Sequence, residues 1–239
     1  MQHPSTYHMR LKENSRLTDP SCEDTVVKMA LEPMPGQALK AFIPGQFVKL
    51  GIPGVSDPAP SYFAIASSPD ETGAYEFVIK QGPPLASFLC RMPAGAEVEV
   101  EGPMGKGFDL TPFEGQDIYL IGVGTGIAPL RSVWQTLLNH RERYGKVGVY
   151  AGFLTATHRL LTDELESLSE HGVDVTVSLA TGHDGWEGPI GYVQHALETD
   201  APDGTHAVAC LAGMSAMVDA CTETLQNLGF DDSRILLNF

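Results

Sequence analysis

The sequence predicts an antiparallel β-barrel followed by a parallel α/β unit. Three observations support this fold class. Between residues 25 and 101, short apolar stretches are separated by glycine and proline turns, as in small barrels. After Phe113, strand and helix patterns alternate, which implies a parallel sheet with helices on both faces. The first strand of this second part ends in three glycines at alternate positions, Gly122, Gly124 and Gly126, and leads directly into a helix.

The barrel elements are predicted from apolar alternation and turn residues. Residues 1 to about 20 are polar and carry no recognisable pattern. Strands are expected over 25–31, 42–50, 61–69, 75–80 and 96–101, with a short helix over 86–91. The boundary between the two parts is expected near residues 106–116, where Gly105, Gly107 and Pro112 loosen the chain. This gives domains 1–110 and 111–239.

The second part is predicted from near-continuous apolar strands followed by helical spacing. Strands are expected over 117–121, 147–152, 173–179, 206–211 and 235–237, and helices over 129–140, 160–169, 192–197 and 215–228. Ligands of such sheets bind beyond the carboxyl ends of the strands. The glycines at 122–126 lie at one of these ends.

Composition excludes several classes of protein. The chain has 239 residues, 43% of them hydrophobic, so a packed core is expected. A formal net charge of -15 argues against nucleic acid or an anionic membrane as a partner. No apolar run reaches the roughly 20 residues of a membrane span, and no signal peptide is recognisable, so a soluble intracellular protein is expected. The four cysteines and eight histidines form no metal-ligand spacing, so no metal site is predicted.

The glycine turn is the strongest functional signal. A strand, a glycine turn and a helix start direct bare N–H groups and the positive end of the helix dipole at one place, which suits an anion. The usual G-x-G-x-x-G fingerprint is not matched, because Ile127 stands where its third glycine belongs. Taken alone, the turn is also compatible with a tight connection that binds no ligand.

Further motifs support a family resemblance. Pro44-Gly45-Gln46-Phe47 opens a barrel strand, Gly102-Pro103-x-Gly105 stands at the junction, and Gly124-Thr125-Gly126-Ile127-Ala128-Pro129 follows the first parallel strand. With Gly213-Met214 before the last helix, these motifs resemble the ferredoxin–NADP reductase family over residues 20–239. A Pro-Ser-Tyr-Phe motif resembles, more narrowly, a plant and algal branch of reductase-like proteins. Cytoplasm and chloroplast are both open as locations.

The resemblance implies a FAD-binding barrel, an NAD(P)-binding α/β domain and hydride transfer from the nicotinamide to the flavin. Phe63 would stack on one flavin face, and the terminal Phe239 would shield the other. The implied flavin residues are Ser61, Tyr62, Phe63, Ala64, Val78, Lys80, Leu85, Ala86 and Ser87. The implied dinucleotide residues are Gly124, Thr125, Gly126, Ile127, Pro129, Phe153, Arg159, Gly213 and Met214.

Departures from the family pattern put full activity in question. The family's R-x-Y-S-x-x-S motif reads here with Ser61 for arginine, Phe63 for tyrosine and Ala64 for serine. A guanidinium–phosphate contact and a hydroxyl beside the reactive flavin nitrogen are therefore missing. Ala212 replaces the family's cysteine, which leaves only Cys210 as a nearby thiol. Losing one charge-assisted contact costs roughly 1.5–3 kcal/mol, which a tight flavin site can tolerate.

Two functions follow as hypotheses. The first is a flavin-dependent NAD(P)H oxidoreductase that passes electrons to a separate acceptor of unknown identity. The alternative is a weakly catalytic or non-catalytic subunit of a larger complex that keeps the fold and a bound nucleotide. The choice between NADH and NADPH stays open. Leu154 fills a common arginine position, while Arg159 could bind the 2′-phosphate of NADPH or simply be a solvated residue at a helix start.

Overall fold

The computed structural model of the chain describes residues 6–183 and 185–238. They form a six-stranded antiparallel sheet and a five-stranded parallel sheet. The predicted fold class is confirmed. Phe239, expected to shield the flavin, lies outside the described residues.

The antiparallel sheet curls into a half-barrel with the strand order β4-β3-β6-β1-β2-β5. At its open side, the N–H of Ala66 donates to the carbonyl oxygen of Glu76 at 2.7 Å, which joins the segment after β4 to β5. The strands are β1 Thr6–Arg16, β2 Val26–Pro33, β3 Phe47–Gly51, β4 Ser61–Ala64, β5 Tyr75–Lys80 and β6 Glu97–Met104, and helix α1 is Pro84–Arg91.

Strand β1 is missing from the sequence prediction. It pairs with both β2 and β6, and its Met9 and Leu11 are 0% and 1% exposed. A register shift between Leu11 and Glu13 interrupts the alternation of buried and exposed residues after Leu11. The outer face of the strand carries polar side chains, so the sequence shows no clear strand pattern. The polar character of this segment therefore reflects one solvated face and not a lack of structure.

The parallel sheet has the strand order β11-β10-β7-β8-β9, so the order reverses between β7 and β10. Ligands of such sheets bind in the crevice at this reversal. The strands are β7 Asp117–Val123, β8 Val147–Phe153, β9 Val173–Leu179, β10 Ala207–Ala212 and β11 Ile235–Leu237. The helices are α2 Ile127–Asn139, α3 Thr162–Ser167, α4 Val193–Asp200 and α5 Ser215–Asn227.

Several predicted boundaries differ from the observed ones. The helix expected over 160–169 is shorter, because α3 is followed by a 3-10 turn over Leu168–His171. The strand expected over 42–50 begins only at Phe47, because Gly45 takes a left-handed conformation with φ of +83°. The strand expected over 61–69 ends at Ala64.

One of the three buried clusters of the described residues spans the junction between the two sheets. Val26, Ala66 and Val78 of the half-barrel belong to the same buried cluster as Trp134 of α2 and the apolar side chains of β7, β8 and β10. This packing places Ala64 of β4 and Val78 of β5 against the start of α2. The division into domains at residue 110 stays a prediction. Within the described ranges, no helix is long and apolar enough to cross a membrane.

Candidate functional site

A cavity of about 580 Å³ lies where the half-barrel meets the parallel sheet. Its walls come from β4, the end of β5 and the start of α1, and the loop over residues 57–60 closes one side. Thr125 of the glycine turn and Ala128 of α2 complete it. Its size lies within the usual range of small-molecule sites, roughly 300–1,000 Å³.

The four predicted residues of β4 all line this cavity. Phe63 is half-buried and packs against the barrel core, whereas Tyr62 is 61% exposed and meets the ring of Phe47 edge-on at 5.5 Å between centroids. The only hydroxyls that β4 brings to the cavity are those of Ser61 and Tyr62. This wall is therefore mostly apolar and aromatic.

Helix α1 brings backbone donors to the opposite wall. It begins at Pro84, no side chain caps it, and Leu85 and Ala86 line the cavity. N–H groups in the first turn of a helix have no partner within the helix and favour an anion. Ser87, predicted as a ligand, lies instead in an adjoining groove, and its hydroxyl donates to the carbonyl oxygen of Gly82 at 2.9 Å.

Lys80 lies at the edge of the cavity and is held by an ion pair. Its ammonium group donates to the carboxylate of Asp24, which also lies 3.5 Å from Nε2 of His158. The hydrogen bond from Lys80 lowers the pKa of Asp24 below its ordinary value. Neither Asp24 nor His158 carries a signal in the sequence, because each is distant from Lys80 along the chain and only the fold brings them together.

The three alternate glycines are required for different reasons. A Cβ on Gly126 would stand 2.4 Å from the carbonyl oxygen of Ala212, and one on Gly122 would stand 2.6 Å from Cδ1 of Leu130. Gly124 has φ of +51° and open space where its Cβ would be. The outer two glycines therefore allow close packing, whereas the middle one sets the backbone conformation and leaves its surface accessible.

The residues that follow β7 and β10 meet at the strand-order reversal. Gly126 abuts Ala212 and Gly213, and Met214, 72% exposed, stands at the start of α5. Because Thr125 lines the cavity, the crevice and the cavity adjoin. Cys210 is fully buried in β10, and burial raises the pKa of its thiol, so it remains in the core and does not replace the thiol absent at residue 212.

Other predicted dinucleotide residues have packing roles. Ile127, Pro129 and Phe153 are buried, and their side chains pack beneath the turn and at the end of β8. Arg159 donates through Nη2 to Glu166 at 3.1 Å, and its guanidinium carbon lies 5.3 Å from the ring centroid of Trp186.

Arg131 is an important residue that the sequence analysis did not identify. Although it is only 4% exposed, it donates to both carboxylate oxygens of Glu164, at 2.7 and 2.9 Å, and to Glu76 at 2.6 Å. It also donates to the carbonyl oxygen of Ala66 at 3.0 Å. The side chain therefore links α2 and α3 to the half-barrel.

Comparisons with known proteins agree with this geometry. A family model described as an oxidoreductase NAD-binding domain matches residues 120–223. The gamma subunit of sulfhydrogenase 1 from Pyrococcus furiosus is 31% identical over 199 residues, which cover 82% of this chain and 67% of that protein. The chain belongs to the ferredoxin–NADP reductase-like family of FAD- and NAD(P)H-dependent oxidoreductases.

Other members of this family support the assignment. NADH-cytochrome b5 reductase 1 of Dictyostelium discoideum is 29% identical over 71% of this chain, which spans 61% of that protein. The cytochrome P450 reductase GcoB of Amycolatopsis has a crystal structure that superimposes on this reductase-like chain with a TM-score of 0.81 and 26% identity, covering 100% of this chain and 71% of that one. The predicted enzyme class and the predicted cofactors, FAD and NAD(P)H, are confirmed at the level of the family. The narrower plant and algal resemblance stays a prediction.

Proposed function

We propose that this chain takes a hydride from a nicotinamide dinucleotide, bound in the crevice, onto FAD bound in the cavity, and passes the electrons to a separate acceptor. The observation that carries this proposal is the contact between the two sites. Thr125 belongs both to the glycine turn at the end of β7 and to the cavity lined by β4 and α1. Two dinucleotides held there would bring their reactive ends together.

The residues of the cavity fit FAD. Phe63 offers an aromatic face, the first-turn N–H groups of Leu85 and Ala86 suit the pyrophosphate, and Lys80 supplies a positive charge at the edge. When bound there, FAD supplies the ability to accept two electrons together and release them singly. No side-chain donor projects from Ala64, so polar contacts with the ring at this position must come from the backbone.

Replacing Lys80 with methionine is expected to raise the dissociation constant of FAD about tenfold, because one charge-assisted contact is lost. Lys49→Met is the matched control, since Lys49 pairs with Glu101 at 3.4 Å and does not line the cavity. Fluorescence titration of the flavin-depleted protein measures both constants. Equal affinities for the two variants would contradict the role assigned to Lys80.

The residues of the crevice fit a nicotinamide dinucleotide. The uncapped start of α2 and the open backbone at Gly124 suit the pyrophosphate, and Gly213 and Met214 flank the path toward the cavity. Hydride transfer needs no general base from the protein. The contribution of these residues is to hold the reacting atoms at contact distance and to exclude water.

The alternative is a reductase-like subunit in a larger complex with little activity of its own. It is favoured by Ser61 and Ala64 in the cavity, and by the likeness to gamma subunits of two sulfhydrogenases of Pyrococcus furiosus, one of them 33% identical over 55% of this chain. A partner subunit would then be the electron acceptor. For an independent enzyme the acceptor is a small oxidant or another protein.

The absorbance spectrum of the purified protein distinguishes the flavin-dependent enzyme from the subunit with little activity. A yellow protein that is bleached anaerobically by one equivalent of NADH or NADPH is the expected result. Oxidation of the reduced protein by added acceptors, a one-electron dye and an iron–sulfur protein, then identifies the acceptor class. A protein that remains colourless after incubation with FAD would contradict the enzyme and favour the alternative.

A further inference from the structure

Asp24 links the flavin cavity to the parallel sheet. Its carboxylate oxygen Oδ2 lies 2.5 Å from Nζ of Lys80, which lines the cavity, and 3.5 Å from Nε2 of His158, which lies in the turn after β8. An ammonium group of the half-barrel and an imidazole of the α/β part therefore meet at a single carboxylate. The hydrogen bond from Lys80 lowers the pKa of Asp24 and His158 lowers it further, so this carboxylate stays ionised at neutral pH.

The loop between β1 and β2 holds Asp24 in this place. The hydroxyl of Thr18 donates to the carbonyl oxygen of Asp24 at 2.8 Å and accepts from the N–H of Val26 at 3.2 Å. The guanidinium of Arg16 donates to several carbonyl oxygens of the same loop. Lys80, by contrast, has a long side chain that is 51% exposed. When the pair separates, the ammonium group is therefore the partner that moves.

His158 has one ring nitrogen that its surroundings leave unpaired. Nδ1 lies 2.7 Å from the hydroxyl oxygen of Thr155, whereas Nε2 is buried and makes no hydrogen bond within the described part of the chain. Among the described residues, Asp24 is the only carboxylate within ion-pair distance of the ring. The unpaired nitrogen therefore has one partner available, which is the carboxylate that already holds Lys80.

Other charged groups beside His158 are engaged elsewhere. Arg159 follows it in the chain and donates through Nη2 to Glu166 at 3.1 Å. Asp19 donates its N–H to the turn that carries His158, but its carboxylate accepts from the hydroxyl of Ser21 at 2.6 Å. A change of charge on His158 is therefore felt chiefly by Asp24.

Imidazole is the side chain that changes charge in the neutral pH range, whereas carboxylates and ammonium groups ordinarily keep theirs. The imidazolium carries a proton on both ring nitrogens and a full positive charge. Because Nε2 of His158 is already 3.5 Å from Oδ2 of Asp24, a small approach would complete a charge-assisted hydrogen bond. Two cations then share one carboxylate, and the attraction between Asp24 and Lys80 weakens.

We propose that Asp24 and His158 are positioning residues that control how far the ammonium group of Lys80 is available to the flavin. While His158 is neutral, Asp24 competes with the phosphates of FAD for Lys80. Once His158 is protonated, Asp24 pairs with the imidazolium and Lys80 is released toward the cavity. The affinity for FAD therefore increases as the pH falls. This inference rests on the proposed function, since it requires FAD in the cavity.

Fluorescence titration of the flavin-depleted protein with FAD, from about pH 8 to about pH 5.5, measures this effect. The dissociation constant is expected to fall roughly fivefold, less than for a complete charge-assisted contact, because Asp24 and Lys80 are both partly exposed. His158→Gln should remove the pH dependence. The matched control His140→Gln should retain it, because His140 lies 3.6 Å from Asp70 and does not line the cavity.

Two further variants separate the carboxylate from the ammonium group. Asp24→Asn should bind FAD at about pH 8 as tightly as the wild-type protein does at about pH 5.5, and its affinity should no longer depend on pH. Asp70→Asn, from the matched pair, should behave like the wild-type protein. In Lys80→Met the pH dependence should be lost, because the effect of His158 passes through the ammonium group.

A wild-type dissociation constant that does not change with pH would overturn the inference and leave the proposed function intact. The same holds for a pH dependence that persists in His158→Gln or in Lys80→Met. Failure of the wild-type protein to bind FAD at every pH would instead overturn the proposed function, and the inference with it.

Discussion

Replacing Arg131 with methionine is expected to lower the free energy of unfolding by about 3 kcal/mol. The substitution removes the buried guanidinium between Glu76 and Glu164 and leaves them only the more distant Lys28, whose Nζ lies 3.8 and 4.0 Å from their carboxylates. Their side chains are 23% and 32% exposed, so some solvation remains and the loss falls at the low end for a broken buried pair. The carbonyl oxygen of Ala66 also loses its guanidinium donor.

Urea denaturation followed by circular dichroism measures this loss. Arg143→Met is the matched control, since Arg143 is 50% exposed and lies 3.7 Å from Glu114, and it should change stability by less than about 1 kcal/mol. Adding Glu164→Gln to Arg131→Met should recover part of the loss, because one uncompensated carboxylate is removed. Similar effects of the two arginine substitutions would show that the Arg131 cluster does not stabilise the junction.

Replacing Gly126 with alanine is expected to slow flavin reduction by the nicotinamide on the order of 100-fold, while FAD binding is retained. The new methyl group would stand 2.4 Å from the carbonyl oxygen of Ala212 and 2.9 Å from Cα of Gly213. The backbone must therefore shift where β7 and β10 end. A displacement of about 1 Å between reacting groups can cost this much in rate.

Anaerobic stopped-flow absorbance at saturating nicotinamide measures the rate, and the flavin content of the purified variant measures FAD retention. Gly73→Ala is the control, because no heavy atom lies within 4 Å of its Cβ and it needs no left-handed backbone. An unchanged rate in Gly126→Ala would mean that the glycine turn does not position the nicotinamide. If both the flavin content and the rate of flavin reduction fall, the turn belongs to the flavin site.

The parallel sheet could be predicted closely, and the half-barrel less so, for a physical reason. Strands β7, β8 and β10 are buried on both faces and therefore read as continuous apolar runs. Strand β1 is buried on one face and irregular, so its alternation is interrupted at the bulge. Some predicted strands also extended into turns. The strand predicted from residue 42 begins only at Phe47, because the backbone conformation of Gly45 sets the boundary.

In the candidate site too, features contiguous along the chain could be predicted, whereas contacts between distant residues could not. Gly124 and Gly126 could be predicted because strand, turn and helix are contiguous along the chain. The Arg131 cluster could not be, since its partners Glu164, Glu76 and Ala66 lie 33, 55 and 65 residues away. Asp24 and Lys80, 56 residues apart, meet for the same reason. No local pattern marks such pairs.

The buried cluster that spans the junction between the two sheets has a consequence for the cost of catalysis. Val26 and Val78 of the half-barrel are buried in the same cluster as Trp134 of α2, so moving the two proposed dinucleotide sites apart would expose this apolar surface to water. Burial of this cluster therefore favours one relative placement of the two sites in the folded chain. A placement that the folded core already favours lowers the part of the binding free energy that must be spent on bringing the two dinucleotides together.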